Sequence, residues 1–299
     1  MIDQNTRFLI VGLGLIGGSY AMGLKKKGYH VDAIDIQEES ISYALQNNLI
    51  DHGSTYDTAL IQQADIIISA LYPKAMVTWI KNNQKHMKPH AFISDVSGVK
   101  SGIVEEIQNF LRDDLHFCAS HPMAGKEVSG VQNADDTIFH SANFIITPTA
   151  KNTQQDISCL KDLAHILEFS HISILTLEEH DTMIGFLSQL THVIAVSLMN
   201  TNDNTHLVDY TGDSFRDLTR IAKINENMWS ELFFLNKDIL IQEIDSFMKE
   251  VKELAKDDDR ITFTGFVQEQ LLDELYSNSY IYTLPSDLEG MPLSLLEAM

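Results

Sequence analysis

The amino-acid sequence predicts an α/β domain followed by an all-helical domain. From residue 7 to residue 147, short apolar runs alternate with amphipathic stretches, which is the rhythm of strand–helix–strand units in a largely parallel sheet. After residue 178 the pattern changes, because helical periodicity runs almost unbroken to about residue 256. We therefore expect a first domain over 1–176, a helical domain over 177–256 and a distinct tail over 257–299.

The individual elements follow from these patterns. The expected strands of the first domain are the apolar runs at 8–11, 31–36, 66–71, 92–96, 117–119 and 144–146. A helix over about 153–169 and a strand near 172–175 add one further unit. In the helical domain, the segment 182–199 carries apolar residues at spacings of three and four, which predicts one packed face.

Composition and charge exclude several classes of protein. The 299 residues are 44% hydrophobic and carry a formal net charge of −21, which disfavours disorder and binding to nucleic acid or anionic membranes. Only Cys118 and Cys159 are present, as suits a reducing cytoplasm, and we expect a cytoplasmic protein. No signal peptide is visible. The sequence contains no continuous apolar run of about 18 residues, so we expect no membrane span.

A glycine-rich motif predicts a dinucleotide site. Residues 12–17 read Gly-Leu-Gly-Leu-Ile-Gly between an apolar strand and a helix, the setting that a G-x-G-x-x-G motif needs in a Rossmann-type domain. A helix N-terminus placed in this way offers free N–H groups to phosphates. The second strand carries a carboxylate near its end, suited to the ribose hydroxyls. The expected cofactor-binding residues are Gly12, Gly14, Leu15, Ile16, Gly17 and Asp35.

The residues around Asp35 favour NAD over NADP. Ile36 and Gln37 follow it, so no basic side chain is at hand to hold a 2′-phosphate, and the carboxylate would repel one. The competing interpretation is that Asp35 only caps the end of its strand.

Two segments after later strands are candidates for catalysis. They are residues 95–100 and 120–130, and in open parallel sheets ligands bind at the carboxyl ends of strands. Oxidation of a hydroxyl by hydride transfer needs a group that takes the hydroxyl proton near neutral pH, and histidine suits this role. His121 in the second segment is the candidate base, although a lone histidine in a loop is more often structural.

Three motifs together resemble one enzyme family. The glycine-rich start, the His-Pro-Met-Ala-Gly-x-Glu-x-Ser-Gly loop at 121–130 and Thr-Arg-Ile-Ala at 219–222 with Met-Trp at 228–229 are similar to the prephenate and arogenate dehydrogenases, over residues 6–255. This resemblance implies NAD-dependent oxidative decarboxylation of prephenate to 4-hydroxyphenylpyruvate in tyrosine biosynthesis, with arogenate as the alternative substrate. It also implies a homodimer formed through the helical domain.

The resemblance assigns roles residue by residue. His121 matches the catalytic histidine that hydrogen-bonds the ring hydroxyl, and Arg220 matches the arginine that grips a substrate carboxylate. Further substrate contacts are expected from Ser97, Lys100, Glu127 and His192. The competing interpretation for Lys100 is a solvated surface lysine.

The chain departs from the family pattern at three places. The usual Asp-x-x-Ser-x-Lys is changed, because Ser97 and Gly98 stand in reverse order, so a serine contact must shift by one residue or be lost. Gln189 replaces the first of two histidines in the helix segment 188–192, and the usual proline before Met228 is missing. A catalytically impaired NAD-binding homologue is therefore a second hypothesis.

The remaining histidines suggest ordinary roles. His86 and His90 are separated by Pro89, which disfavours a metal pair on one helix, and we expect no metal. His180 and Asp181 are interpreted as a capping and packing feature at the start of the long helix, although members of the resembled family have a similar pair there.

The tail over 257–299 resembles part of a retaining glycosyltransferase of the two-Rossmann-domain (GT-B) type. Phe-Thr-Gly-Phe-Val, Leu-Pro-Ser and two glutamates near the end of the sequence carry this likeness. About 40 residues are too few for a donor pocket, so we expect the tail to be non-catalytic; a sugar-nucleotide protein is the third hypothesis.

Overall fold

The computed structural model describes residues 2–201 and 206–255, and the expected tail lies outside them. Its main feature is a six-stranded parallel sheet in the order β3-β2-β1-β4-β5-β6. The strands of this sheet are β1 Arg7–Val11, β2 His30–Ile34, β3 His52–Ser54, β4 Ile66–Ser69, β5 Phe92–Asp95 and β6 His116–Phe117. The expected α/β class is confirmed.

A second, three-stranded sheet follows. It consists of β7 Ala119–Pro122, β8 Asn143–Thr147 and β9 His171–Ile174, with β7 antiparallel to β8 and β8 parallel to β9. The single strand expected at 117–119 is wrong. The chain leaves the parallel sheet after Phe117 and pairs as β7 with β8, so His121 lies on a strand, opposite Ile145, and not in a loop.

Eleven α-helices are found in the described residues. They are α1 Leu15–Lys26, α2 Glu38–Gln46, α3 Thr58–Gln63, α4 Pro73–Asn83, α5 Ile103–Phe110, α6 Gln154–Ile166, α7 Leu177–Ile184, α8 Thr191–Asn200, α9 Asp213–Thr219, α10 Glu226–Leu235 and α11 Lys237–Ala255. A π-helical segment, Gly185–Leu190, joins α7 to α8.

Helices cover both faces of the parallel sheet, which explains its continuous apolar strands. Phe8 and Ile10 of β1 belong to one buried cluster, and Leu9 and Val11 belong to another. Successive side chains of a strand point to opposite faces, so a strand covered on both sides needs apolar residues at every position.

The chain divides into two compact units. The first holds Met1–Ile184 together with Asn225–Lys237, and the second holds Gly185–Ile224 and the described chain from Asp238. The division differs from the expected boundary after residue 176 in two respects. The first unit continues to Ile184, so α7 belongs to it. α10 also belongs to the first unit, where Glu231 accepts a hydrogen bond from the backbone N–H of Lys74 (2.7 Å).

One helical stretch has the length and composition of a membrane span. Leu177–Asn200 covers 24 residues, and its most apolar window has a mean hydropathy of 1.5 with 28% of the window buried. The expectation of no candidate span rested on the lack of a continuous apolar run, and averaged hydropathy does not support it. Such a composition also suits a helix that covers another polypeptide, so by itself it is weak grounds for a membrane location.

Candidate active site

The glycine-rich loop lies between β1 and α1 in a form that only glycine permits. Gly12 has φ +97°, and a Cβ on Gly17 would lie 1.9 Å from the carbonyl oxygen of Gly12. A Cβ on Gly14, in contrast, would meet no atom within 4 Å. Gly14 is also the N-cap of α1 and brings no side chain to its N-terminus. Open space beside an uncapped helix N-terminus fits a phosphate group, so the cradle suits a dinucleotide.

Asp35 directly follows β2, which ends at Ile34 and not at residue 36 as expected. One carboxylate oxygen accepts a hydrogen bond from the backbone N–H of Leu13 (2.6 Å), and the other accepts one from Gln37 (2.8 Å). Asp35 therefore caps the end of its strand and also supports the glycine loop. Each oxygen keeps a second lone pair, as contact with ribose hydroxyls would require.

His121 belongs to a hydrogen-bonded chain of three side chains. Its Nδ1 lies 2.9 Å from Nε2 of His180, and Nδ1 of His180 lies 2.7 Å from the Asp181 carboxylate. His180 and Asp181 are fully buried, whereas His121 is half-buried. The carboxylate of Asp181 also accepts hydrogen bonds from the backbone N–H groups of Lys100 (2.9 Å) and Ser101 (2.7 Å). This chain connects α7 to β7 and to the loop after β5.

The interpretation of His180 and Asp181 as a helix cap is wrong. The N-terminus of α7 is capped by Thr176, whose hydroxyl accepts a hydrogen bond from the N–H of Glu179 (3.1 Å), while Glu179 accepts one from the N–H of Thr176 (2.8 Å). Because this reciprocal capping box is complete without them, His180 is available to contact His121, and Asp181 to contact His180. Sequence analysis missed the signal that Thr176 and Glu179 already supply a complete capping box. The His-Asp pair that follows one helical turn after Thr176 is therefore not needed as a cap.

The surroundings keep both histidines neutral near pH 7. Burial lowers the pKa of His121 well below its usual value, and the nearby His180 and Lys100 add to the effect. Burial also lowers the pKa of His180, although Asp181 opposes this. For Asp181, burial alone would raise the pKa, but the hydrogen bonds from His180 and Ser101 outweigh it and lower the pKa.

A buried ion pair lies behind His121. The ammonium group of Lys100 is fully buried and donates hydrogen bonds to Asp95 (2.6 Å), to the backbone oxygen of Ser120 (2.7 Å) and to the hydroxyl of Ser97 (3.4 Å). Asp95 in turn accepts a hydrogen bond from the N–H of Ser120 (3.0 Å). Both partners therefore hold the residue next to His121.

These contacts correct two expectations. Lys100 is neither a solvated lysine nor placed to bind substrate, because its three N–H bonds are directed to acceptors inside the protein. The hydroxyl of Ser97 is hydrogen-bonded to Asp95 and lies 3.0 Å from the carbonyl oxygen of Val99. The shifted serine therefore supports the loop, and it is Gly98 that lies beside His121. A Cβ on Gly98 would be 3.8 Å from Cε1 of His121 and 3.6 Å from Leu232 of α10.

The other residues expected to contact the substrate are exposed or half-buried. Glu127 is exposed in the segment between β7 and β8. In the second unit, His192 of α8 is half-buried, with Nδ1 2.8 Å from the backbone oxygen of Ser188, and α8 packs against the short turn Arg220–Ala222. His192 and Arg220 therefore lie on neighbouring elements.

One group of possible metal ligands lies elsewhere. His30, Asp32 and His52 come close together at the amino ends of β2 and β3, away from the glycine loop. The guanidinium of Arg7 already contacts two of them, at 2.8 Å from Nε2 of His30 and 3.3 Å from Asp32. A cation there would meet this positive charge, so the group is an ion-pair network around a buried carboxylate.

Comparison with known proteins identifies the family. Residues 20–169 match the model of the prephenate dehydrogenase nucleotide-binding domain, and residues 176–260 match that of the prephenate dehydrogenase dimerization domain. The chain belongs to the prephenate dehydrogenase family. Residues 242–299 match the glycosyl transferases group 1 model, which confirms the resemblance of the tail, and this match overlaps the dimerization domain.

Relatives of the prephenate dehydrogenase family cover most of the chain. A prephenate dehydrogenase of Bacillus subtilis is 29% identical over 98% of this chain and 78% of its own. One from Lactococcus lactis is 32% identical, over 83% of this chain and 70% of its own. The crystal structure of the Aquifex aeolicus prephenate dehydrogenase in complex with hydroxyphenyl propionate and NAD+ is 29% identical, has a TM-score of 0.77, and is matched over 84% of this chain and 90% of that chain.

Proposed function

We propose that this chain catalyses the NAD-dependent oxidative decarboxylation of prephenate to 4-hydroxyphenylpyruvate, on the route to tyrosine. The observation that carries the proposal is the position of His121. The glycine loop follows β1 and the loop of Gly98 follows β5, and both lie at the carboxyl edge of one parallel sheet. His121 lies against Gly98, and its Nδ1 is bound to His180, so Nε2 is the nitrogen that can meet a substrate hydroxyl.

The cofactor site supports NAD. When bound, NAD supplies the acceptor for a hydride. Gly14 leaves room for its phosphates. The negative charge of Asp35, which Ile36 and Gln37 follow in the sequence without a basic residue, disfavours the 2′-phosphate of NADP.

The reaction needs one group that accepts the proton of the ring hydroxyl and later returns it. The hydroxyl proton of the ring passes to Nε2 of His121 as the hydride leaves the same carbon, and a carbonyl forms there. The bond to the ring carboxylate then breaks, carbon dioxide leaves, and the electron pair enters the ring, which becomes aromatic. The ring oxygen takes back one proton. His121 thus returns to its neutral form without net loss of a proton.

Three further residues are proposed as substrate contacts. Arg220 grips a carboxylate, because a guanidinium forks onto two oxygens at once. His192 and Glu127 are the other two residues that we propose to contact the substrate. These roles rest on the match of each residue to the family motif.

The proposal is tested by NADH formation, with prephenate and arogenate offered separately to the purified full chain and NADP replacing NAD in a control. We expect NADH from prephenate with NAD. NADH from arogenate alone would transfer the activity to that substrate, and failure with both while NAD still binds would show an impaired homologue.

The His121→Asn variant tests the base. We expect NAD to bind as before while kcat falls by roughly two orders of magnitude, as for loss of a positioned general base. The matched control is His165→Asn, because His165 is an exposed histidine on α6 and should leave kcat unchanged. Full turnover by His121→Asn would remove His121 from the mechanism.

We also propose that the protein is a homodimer formed through the second unit. Apolar side chains are exposed there on the π-helical segment and on α11; Phe186, Leu187, Phe247, Met248 and Val251 belong to this face. Phe186 and Phe247 line a groove of about 300 Å³, and the matching family model is that of a dimerization domain. A second copy of the chain would cover this surface.

Light scattering after gel filtration tests the dimer. We expect twice the chain mass of 33.7 kDa for the wild type and a shift towards the single chain for Phe247→Glu. Leu45→Glu, at an exposed leucine of α2 in the first unit, is the control and should remain dimeric. A monomeric wild type would contradict the proposal.

We propose a cytoplasmic location for the enzyme. Cys118 and Cys159 are both buried free thiols, and burial raises the pKa of each, to about 11 for Cys159. Such thiols suit a reducing compartment.

A further inference from the structure

We propose that His180 and Asp181 are positioning residues that fix the tautomer of His121 and stabilise the charge it gains in the reaction. The stabilisation of charge rests on the proposed function, whereas the tautomer of His121 is a property of the free protein. Sequence analysis assigned only capping and packing to these two residues. The contacts that carry it are the two short hydrogen bonds from His121 to His180 and from His180 to Asp181.

The proton positions of the three hydrogen-bonded side chains can be derived starting from Asp181, because a carboxylate can act only as an acceptor. The carboxylate of Asp181 can only accept, so Nδ1 of His180 carries a hydrogen. A neutral His180 then has a lone pair on Nε2, which accepts the hydrogen on Nδ1 of His121. With its hydrogen on Nδ1, a neutral His121 has its lone pair on Nε2. This is the nitrogen that receives the substrate proton.

Asp181 is held rigidly in this role. Its carboxylate accepts two backbone N–H bonds, from Lys100 and Ser101, besides the bond from His180. Three donors around one buried carboxylate favour its ionised form and fix its orientation. The loop after β5 thereby sets the ring of His180, which sets the ring of His121.

The same arrangement stabilises the reacting state. When His121 gains a proton on Nε2 it becomes an imidazolium, and its Nδ1–H bond to His180 becomes charge-assisted. The charge of Asp181 acts across one imidazole ring, and no proton has to move along the chain. The other charged groups near the two histidines are Lys100 and Asp95, which neutralise each other as an ion pair.

Nitrogen NMR of the histidine-labelled full chain tests the tautomer directly. We expect His121, assigned by the signals lost in His121→Asn, to be the Nδ1–H tautomer, and His180 likewise. An Nε2–H tautomer of His121 at pH 7.5 would overturn the proposal. The outcome is independent of turnover, so failure of the proposed function and failure of this inference are distinguishable.

Two variants at one position test the effect on the reaction. In His180→Leu the acceptor for Nδ1–H of His121 is lost, and we expect kcat to fall roughly 100-fold with KM and the Kd for NAD within about twofold. In His180→Gln the side-chain carbonyl can accept the same hydrogen, so we expect most of the kcat to be retained.

The pattern of losses in the two variants separates a positioning role of His180 from a packing role. If the role of His180 were purely structural, both variants would lower Tm and kcat and would also raise the Kd for NAD. Equal losses in His180→Gln and His180→Leu, or a kcat of His180→Leu within about threefold of the wild type, would overturn the proposal. If His180→Leu does not fold, Asp181→Asn replaces it. The amide N–H of asparagine can donate to Nδ1 of His180, which reverses the tautomers of His180 and His121, so we expect kcat to fall roughly 100-fold or more.

Discussion

Gly98 lies against the imidazole of His121, at the position where the family pattern commonly has a serine. A Cβ on Gly98 would be 3.8 Å from Cε1 of His121, an ordinary van der Waals distance. The neighbouring Ser97 cannot replace that serine, because its hydroxyl is bound to Asp95. The reversed order of the two residues therefore leaves no serine hydroxyl at position 98 beside His121.

The Gly98→Ser variant should raise activity. One added hydrogen bond near His121 contributes roughly 1 kcal/mol, which corresponds to about a fivefold increase in kcat/KM for prephenate. Gly98→Ala is the matched control, since it adds the same Cβ without the hydroxyl and should leave kcat/KM near the wild-type value. Equal effects of serine and alanine would show that the hydroxyl has no role.

Lys100→Met should destabilise the fold. It leaves the Asp95 carboxylate buried without its cation, and breaking a buried pair in this way lowers the free energy of unfolding by about 3–5 kcal/mol. Urea unfolding measures this. Adding Asp95→Asn should recover part of the loss. The control Lys27→Met, which breaks an exposed pair with Glu168, should change stability by less than about 1 kcal/mol. A loss of that small size for Lys100→Met would contradict the importance of the pair.

Stability should fall as the pH drops below about 6.5, the usual pKa of histidine. The pKa values of His121 and His180 are lowered in the folded protein, so between the folded values and 6.5 the unfolded chain binds more protons. Stability therefore rises with pH across this window and is lost in acid. Urea unfolding at pH 7.5, 6.5 and 5.5 measures the slope, which should be shallower for His180→Gln because one titrating group is gone. An unchanged slope would refute this origin.

Arg220→Lys should raise KM much more than it lowers kcat. Lysine keeps the charge but loses the forked contact with a carboxylate, and we expect KM for prephenate to rise roughly tenfold. Arg216→Lys is the control, because Arg216 forms an exposed pair with Asp213 and should leave KM unchanged. An unchanged KM in Arg220→Lys would place the carboxylate contact elsewhere.

Local sequence determined the elements that depend on local rules. The apolar runs predicted the strands β1, β2, β4 and β5 because both faces of the parallel sheet are buried. Short β3 was missed, since His52–Ser54 contains no apolar residue and forms a strand only by pairing with β2. The glycine spacing at 12–17 predicted the cofactor loop, because Gly12 and Gly17 are required by the path of their own backbone.

The sequence by itself determined the fold class and the glycine loop and gave His121 as the candidate base, since each of these depends on residues close together in the chain. Only the tertiary structure decided how His121 is supported. His121 meets His180 across 59 residues, and Asp181 meets the loop of Lys100 across 81. No local pattern specifies such contacts, because they arise when α7 packs against the strand ends. The same packing buries Lys100, whose charge had suggested contact with substrate or solvent, and gives it a structural partner in Asp95.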